Sequence, residues 1–178
     1  CAGGFKGHGG ALAEYMIADA LLVAHKPRTL DFASSAAFPL VSITAWEGLM
    51  DRANLRSGQH VLIHGGTGGV GHIALQLAKI KGARVATTIS SEDKAKIACD
   101  LGADNIIFYR QQTVEQYVES LTNGKGFDIV FDTVGGKNLN GSFAATRNKG
   151  QVINIIAFSS HDLSPAFSRG LTFHLENM

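Results

Sequence analysis

The stretch that decides the fold is HVLIHGGTGGVGHIALQLAKIKGARVATTIS, residues 60–90. At its centre is a glycine ladder, Gly66-x-Gly68-x-x-Gly71, set between an apolar run and an amphipathic one. Alone, such a hexapeptide is a weak signal, so its surroundings decide its meaning. HVLIHG reads as a buried strand, and VGHIALQLAKIKG places Val70, Ile73, Ala74, Leu77 and Ile80 at helical spacing. Gly82 stops the helix and ARVATTIS supplies a second strand. The glycines therefore sit at a strand-to-helix turn inside a βαβ unit. In that setting Gly66 permits the tight turn, Gly68 lets the backbone approach a pyrophosphate, and Gly71 lets helix and strand pack closely. The helix amino terminus offers free N–H groups and a positive dipole end to phosphates, with Thr67, Gly69 and Val70 completing the expected contact.

Outward from the ladder the same rhythm continues. Strands are predicted at about 60–64, 83–88, 105–108, 127–131, 150–155 and 171–175, with helices over 69–81, 92–100, 113–121 and 137–146. Strands that are short and apolar on both sides belong where helices cover both sheet faces. The expected fold is α/β: a Rossmann-type, doubly wound, parallel six-stranded sheet. Upstream, residues 1–10 read as a glycine-rich loop, and ALAEYMIA (11–18) and LLVAHKP (21–27) as two short strands. Residues 31–57 are helical in composition and interrupted at Pro39. The division is thus 1–30 as a remnant of a β-rich domain, 31–57 as connecting helices, and 58–178 as the dinucleotide-binding domain.

Composition narrows the function classes. The 178 residues carry a formal net charge of +1 without basic blocks, which leaves no electrostatic footprint for nucleic acid. Every apolar run is broken well before the ~18 residues a membrane span requires, so a cytoplasmic protein is expected. The two cysteines, Cys1 and Cys99, have no metal-ligand spacing. His64 and His72 flank the ladder, one ending a buried strand and one on a helix, and both read as structural.

The tip of the second strand selects the dinucleotide. An NAD site usually carries an acid there, about 20 residues past the ladder, to bond the ribose hydroxyls. Here the tip reads Thr87-Thr88-Ile89-Ser90-Ser91. Glu92 and Asp93 follow, but Ser90-x-x-Asp93 fits a helix capping box, with ribose binding as the alternative. Hydroxyls, Ser90 among them, together with Lys94 suit a 2′-phosphate, so NADPH is the expected cofactor.

VLIHGGTGGVG, LGADNIIFYR, GFDIVFDTVGG and NKGQVINI resemble the quinone oxidoreductase branch of the medium-chain dehydrogenase/reductase superfamily, from about Gly10 onward. FPLVSITAWEGL is similar to that family's helix leading from the catalytic domain into the cofactor domain. The resemblance implies NADPH-dependent hydride transfer to a quinone or an α,β-unsaturated carbonyl. It puts Lys94 and Tyr109 on the adenosine 2′-phosphate, Thr44 near the nicotinamide in a positioning role, and Val134, Ile155 and Ala157 along the cofactor. A solvated lysine, an edge aromatic and a helix-interior threonine are the plainer readings of Lys94, Tyr109 and Thr44. In NIIAFSS the sequence departs from the family's more glycine-rich turn.

Zinc-dependent relatives place a cysteine ligand four residues before the threonine matched by Thr44; that position here is Leu40, which cannot coordinate zinc. A zinc-type alcohol dehydrogenase and a non-catalytic NADPH-binding protein remain the alternatives. The chain opens on Cys1 and reads as the cofactor-binding part of a longer enzyme, inactive by itself. GLTFHLENM alternates as an edge strand should, and residues 171–176 are the expected homodimer contact.

Overall fold

The computed structural model describes residues 13–156 and 159–176. Six parallel strands form one sheet in the order β3-β2-β1-β4-β5-β6. They are β1 (His60–His64), β2 (Arg84–Ile89), β3 (Asn105–Phe108), β4 (Phe127–Asp132), β5 (Thr146–Asn154) and β6 (Thr172–Leu175). Between them run α2 (Gly69–Ile80), α3 (Glu92–Asp100), α4 (Val114–Thr122), α5 (Asn138–Ala145) and α6 (Ser164–Ser168), preceded by α1 (Phe32–Trp46). The chain leaves β1 in opposite directions, toward β2 and toward β4, so a crevice opens between their carboxyl ends.

Alternate residues of each strand feed two cores. Val61, Ile63, Val85, Ile129 and Phe131 pack beneath α1, α2 and α3, with Leu49, Ala74 and Leu75. Leu62, Ala86, Ile107, Val130 and Val152 face α4, α5 and α6, against Tyr117, Leu139 and Phe143. A strand buried on both sides has no polar face, which is why its sequence is a continuous apolar run.

Several local expectations change. Residues 13–30 hold no strand; a 3₁₀ turn, Ala20–Leu22, is capped by Asp19, whose side chain accepts from the Leu21 N–H at 2.9 Å. Tyr15, Ile17 and Leu21 are 86–92% exposed, so the alternation that suggested strands has no sheet to join among the described residues. Helix α1 runs through Pro39 and continues as a π-helical turn, Glu47–Arg52. One missing backbone donor costs about 3 kcal/mol at most positions. Here the Asp31 cap at one end and the buried Thr44, Ala45 and Leu49 at the other outweigh it. On α2 the buried stripe is Gly71, Ala74, Leu75 and Ala78, and Ile80 is 84% exposed. Gly71 and the two alanines let α2 lie close to the glycine turn, and Leu75 fills the core beside them. Strand β5 starts at Thr146 rather than 150, and α6, too short to show periodicity, was not expected.

Candidate functional site

The turn between β1 and α2 assigns its glycines differently from the motif. Positive φ falls on Gly65 (+73°), so Gly65 makes the tight turn. A Cβ on Gly66 would stand 2.1 Å from Thr87 Oγ1. That contact exists because Thr87 Oγ1 accepts from the Gly66 N–H at 3.0 Å and donates to the Ile63 carbonyl at 2.7 Å. A Cβ on Gly71 would lie 2.1 Å from the Gly65 carbonyl oxygen, so Gly71 does serve close packing. Gly68 stands apart. Its Cβ would meet only the Gly65 oxygen, at 3.2 Å, and the residue is exposed at the N-cap of α2. The protein's own packing scarcely requires a glycine there, as a backbone kept bare for a ligand would have it.

No side chain caps α2. Its first-turn N–H groups have no partner within the helix, and they lie at the positive end of its dipole. Val41 of α1 lies 3.5 Å from where a Gly69 Cβ would be, so α1 closes one side of the turn.

Beside the turn, at the tips of β1, β2, β3 and β4, is a cavity of about 310 Å³. His64, Gly65, Thr88 and Tyr109 line it from the strand ends, Val114 and Tyr117 from α4, and Val134 and Asn138 from beyond β4. His64 pairs in register with Thr88 on one side and Asp132 on the other, so the three share one face. Thr88 Oγ1 lies 3.2 Å from His64 Nδ1 and accepts from the Gly65 N–H at 3.2 Å. Burial lowers the His64 pKa, against a smaller opposing pull from Asp132, which keeps the imidazole neutral at pH 7. Asp132, fully buried, accepts from the Val134 and Gly135 N–H groups (both 2.9 Å) and from Ser142 Oγ at 2.7 Å. It fixes the loop that carries Val134 along the cavity. Burial, with lesser contributions from Glu115 and Asp132, pushes the Tyr117 phenol up to about 12, so it stays protonated.

The expected site residues divide. Tyr109, half exposed with the Arg110 guanidinium 5.7 Å from its ring centre, and Val134 line the cavity. Lys94 is exposed in the first turn of α3, and Ser90 is half-buried just past β2. The helix cap is Ser91, without a side-chain cap bond, so the Ser90-x-x-Asp93 capping box is not formed; Glu92 and Asp93 do occupy the first turn. Thr87 and Thr88 hold the glycine turn, which leaves Ser90 and Ser91 as the tip hydroxyls beyond the strand. Thr44 is buried in α1 and donates to the Leu40 carbonyl at 2.8 Å; it does not line the cavity. Ile155 lies just beyond β5, and Ala157 lies outside the described residues. Sequence reasoning missed His64, Asn138 and Tyr117 as cavity residues. His64 had one signal, its place immediately before the glycine turn at the strand tip.

Leu40 is 46% exposed, and among the described residues no group of three or more His, Cys, Asp or Glu is arranged to hold a metal. No described helix is long and apolar enough to cross a membrane.

A parallel sheet in this order, a bare glycine turn and a cavity at its switch point define a dinucleotide-binding module of dehydrogenase type. Residues 69–175 match the zinc-binding dehydrogenase family model, and the chain belongs to that family, within the medium-chain dehydrogenase/reductase superfamily. It is 42% identical over 127 residues to 2-methylene-furan-3-one reductase of Solanum lycopersicum, covering 71% of this chain and 31% of the relative. It is 31% identical over 156 residues to quinone oxidoreductase of Pongo abelii, covering 88% and 47%. Among solved structures, an NAD-dependent alcohol dehydrogenase superposes with a TM-score of 0.88 at 36% identity, over 95% of this chain and 50% of that one. A mycobacterial protein complexed with NADPH gives 0.83 at 30%, over 89% and 51%. The chain thus spans less than half the length of these two curated relatives.

Proposed function

We propose that this chain is the cofactor-binding part of a zinc-independent oxidoreductase that uses NADPH to reduce a quinone or an α,β-unsaturated carbonyl. The observation that carries the reading is the pairing of an exposed Gly68, only lightly crowded by its own fold, at an uncapped helix start with a strand-tip cavity beside it. The residues present fit a dinucleotide. Gly68 and the first-turn N–H groups of α2 accommodate the pyrophosphate, and Tyr109, Val134 and Val114 offer apolar walls to the adenosine end. The bound cofactor supplies hydride, the chemistry that no side chain here can provide.

NADPH is preferred because the tip of β2 carries no acid, while Ser90, Lys94, Tyr109 and Arg110 supply hydroxyls and positive charge near the ribose end. Zinc independence rests on Leu40 at the family's cysteine position. An enone acceptor finds support in the name of the tomato reductase, and a quinone in that of the Pongo abelii enzyme. The test is NADPH and NADH oxidation by the complete protein across a quinone and enone panel, with metal analysis of the same sample. NADPH-dependent turnover by zinc-free protein is expected. Activity that needs zinc, or runs on NADH alone, overturns the assignment.

A further inference from the structure

Between β5 and α6 the chain carries a second set of chemistry-bearing side chains. Ser159 Oγ lies 2.6 Å from His161 Nε2, and His161 Nδ1 lies 3.3 Å from Oδ1 of Asn140 on α5. An amide oxygen only accepts, so Nδ1 carries the proton of the neutral ring and Nε2 is the acceptor that meets the Ser159 hydroxyl. The Asn140 contact bridges 21 residues of sequence, so a helix outside the loop orients the imidazole. A nucleophile, a base and a group that orients the base are thereby in line.

A serine–histidine contact alone is an ordinary surface hydrogen bond, and what lies beside this one sets it apart. Ser159 and His161 line a cavity of about 160 Å³ whose other walls include Leu139, Ile156, Leu163 and Phe173. It shares no lining residue with the cavity beside the glycine turn. Its volume is well below the ~300 Å³ at which sites for drug-sized ligands begin, which restricts an occupant to a short apolar chain. Ser159 itself is exposed, so an incoming ester reaches Oγ from solvent.

We propose that Ser159 and His161 form an acyl-transfer site, separate from the dinucleotide site, that takes esters of short-chain carboxylic acids. Ser159 Oγ forms a bond to the acyl carbon as the ester C–O bond breaks, and the hydroxyl proton passes to His161 Nε2 and on to the departing alcohol. Water then attacks the acyl carbon, giving its proton through Nε2 back to Oγ, and the free acid leaves. No oxidant, reductant or cofactor enters, so the proposal stands apart from the reading of the dinucleotide site. Asn140 is a positioning residue, acting through the imidazole.

The test follows p-nitrophenol release from p-nitrophenyl acetate, butyrate and decanoate by the complete protein, with mass mapping of acetyl groups on quenched samples. Acetate and butyrate should turn over faster than decanoate, with the acetyl group found on Ser159. Ser159→Ala and His161→Ala should each slow release about a hundredfold or more. Asn140→Ala should slow it too, whereas Asn140→Asp should restore it and move the rise in rate to higher pH, because a carboxylate beside Nδ1 holds the imidazolium more strongly. The acetyl mapping uses the parent protein, so a misfolded variant does not obscure the outcome. Acetyl groups on lysines alone overturn the proposal. So does a rate that Ser159→Ala leaves unchanged, or decanoate turnover as fast as that of butyrate. An Asn140→Asp variant whose pH profile matches the parent's removes Asn140 from its positioning role.

Discussion

Gly68 and Gly71 lie three residues apart in one motif, yet the structure predicts opposite consequences for filling them. At Gly71 a Cβ would stand 2.1 Å from the Gly65 oxygen and 3.0 Å from Gly66 Cα, backbone atoms that cannot swing aside. Gly71→Ala must push α2 off the turn, an overpacking cost of about 1–3 kcal/mol or more. At Gly68 the backbone is extended (φ −79°, ψ 176°), a conformation valine adopts freely, and the one close atom is the Gly65 oxygen at 3.2 Å, a tight contact relieved by a small shift. Gly68→Val loses only a tolerable N-cap, about 1 kcal/mol, or ~2–4 °C in Tm for a chain this size. Its methyls, however, fall where the pyrophosphate would approach. Losing one or two charge-assisted bonds to the α2 amides costs about 2–5 kcal/mol, a weakening of roughly 30- to 4000-fold in Kd. Thermal unfolding by circular dichroism and NADPH titration of both variants separate the two effects. Normal NADPH binding by folded Gly68→Val refutes the reasoning. So does a Gly71→Ala variant as stable as the parent.

Three further outcomes are expected. Lys94→Ala should weaken NADPH about tenfold and leave NADH nearly unchanged, the difference a charge-assisted bond to the 2′-phosphate makes; equal losses in calorimetry would remove Lys94 from that role. The chain should dimerise through the outer edge of β6, and Leu175→Lys, at a half-exposed edge position, should shift it to monomer in sedimentation, because a lysine there opposes strand pairing; Phe173 is a poorer probe, since its ring packs edge-on against Phe143 at 5.4 Å. Glu47 has its pKa raised, first by its hydrogen bond to Glu176 and then by burial, so the stability it lends is present at low pH and is lost as pH rises through that raised value; Glu47→Gln should flatten the fall in Tm as pH rises above the ordinary glutamate range.

The parallel sheet and its covering helices were legible because both signals they need are local. Buried parallel strands must be apolar on both sides, and helices between them must carry a 3.6-residue period. The amino-terminal strands failed for the complementary reason. Alternation in ALAEYMIA records a half-buried face, but which partner buries it is not written in those eight residues. Ile80 misled in the same way: the period was right, yet the stripe that meets the sheet is Gly71, Ala74, Leu75 and Ala78, and Ile80 lies outside it. Pro39 was read by its local cost, while the caps and burial that outweigh it lie at the two ends of a 15-residue helix.

The site was half legible, and the hidden half has one physical cause. A sequence shows which polar residues stand at the strand tips, but not which of them the fold has already engaged. Thr87 and Thr88 looked like hydroxyls available to a phosphate. In the fold they brace the glycine turn, Thr87 between the Gly66 amide and the Ile63 carbonyl, Thr88 between the Gly65 amide and His64. His64 looked like an inert end to a buried strand, and it is the one whose second nitrogen has no partner. The roles change places because β1 and β2 are in register: His64 and Thr88 are direct neighbours, so one satisfies half of the other. What that exchange leaves without a side-chain partner is the start of α2, uncapped and exposed at Gly68, which the spacing of the glycines had already marked.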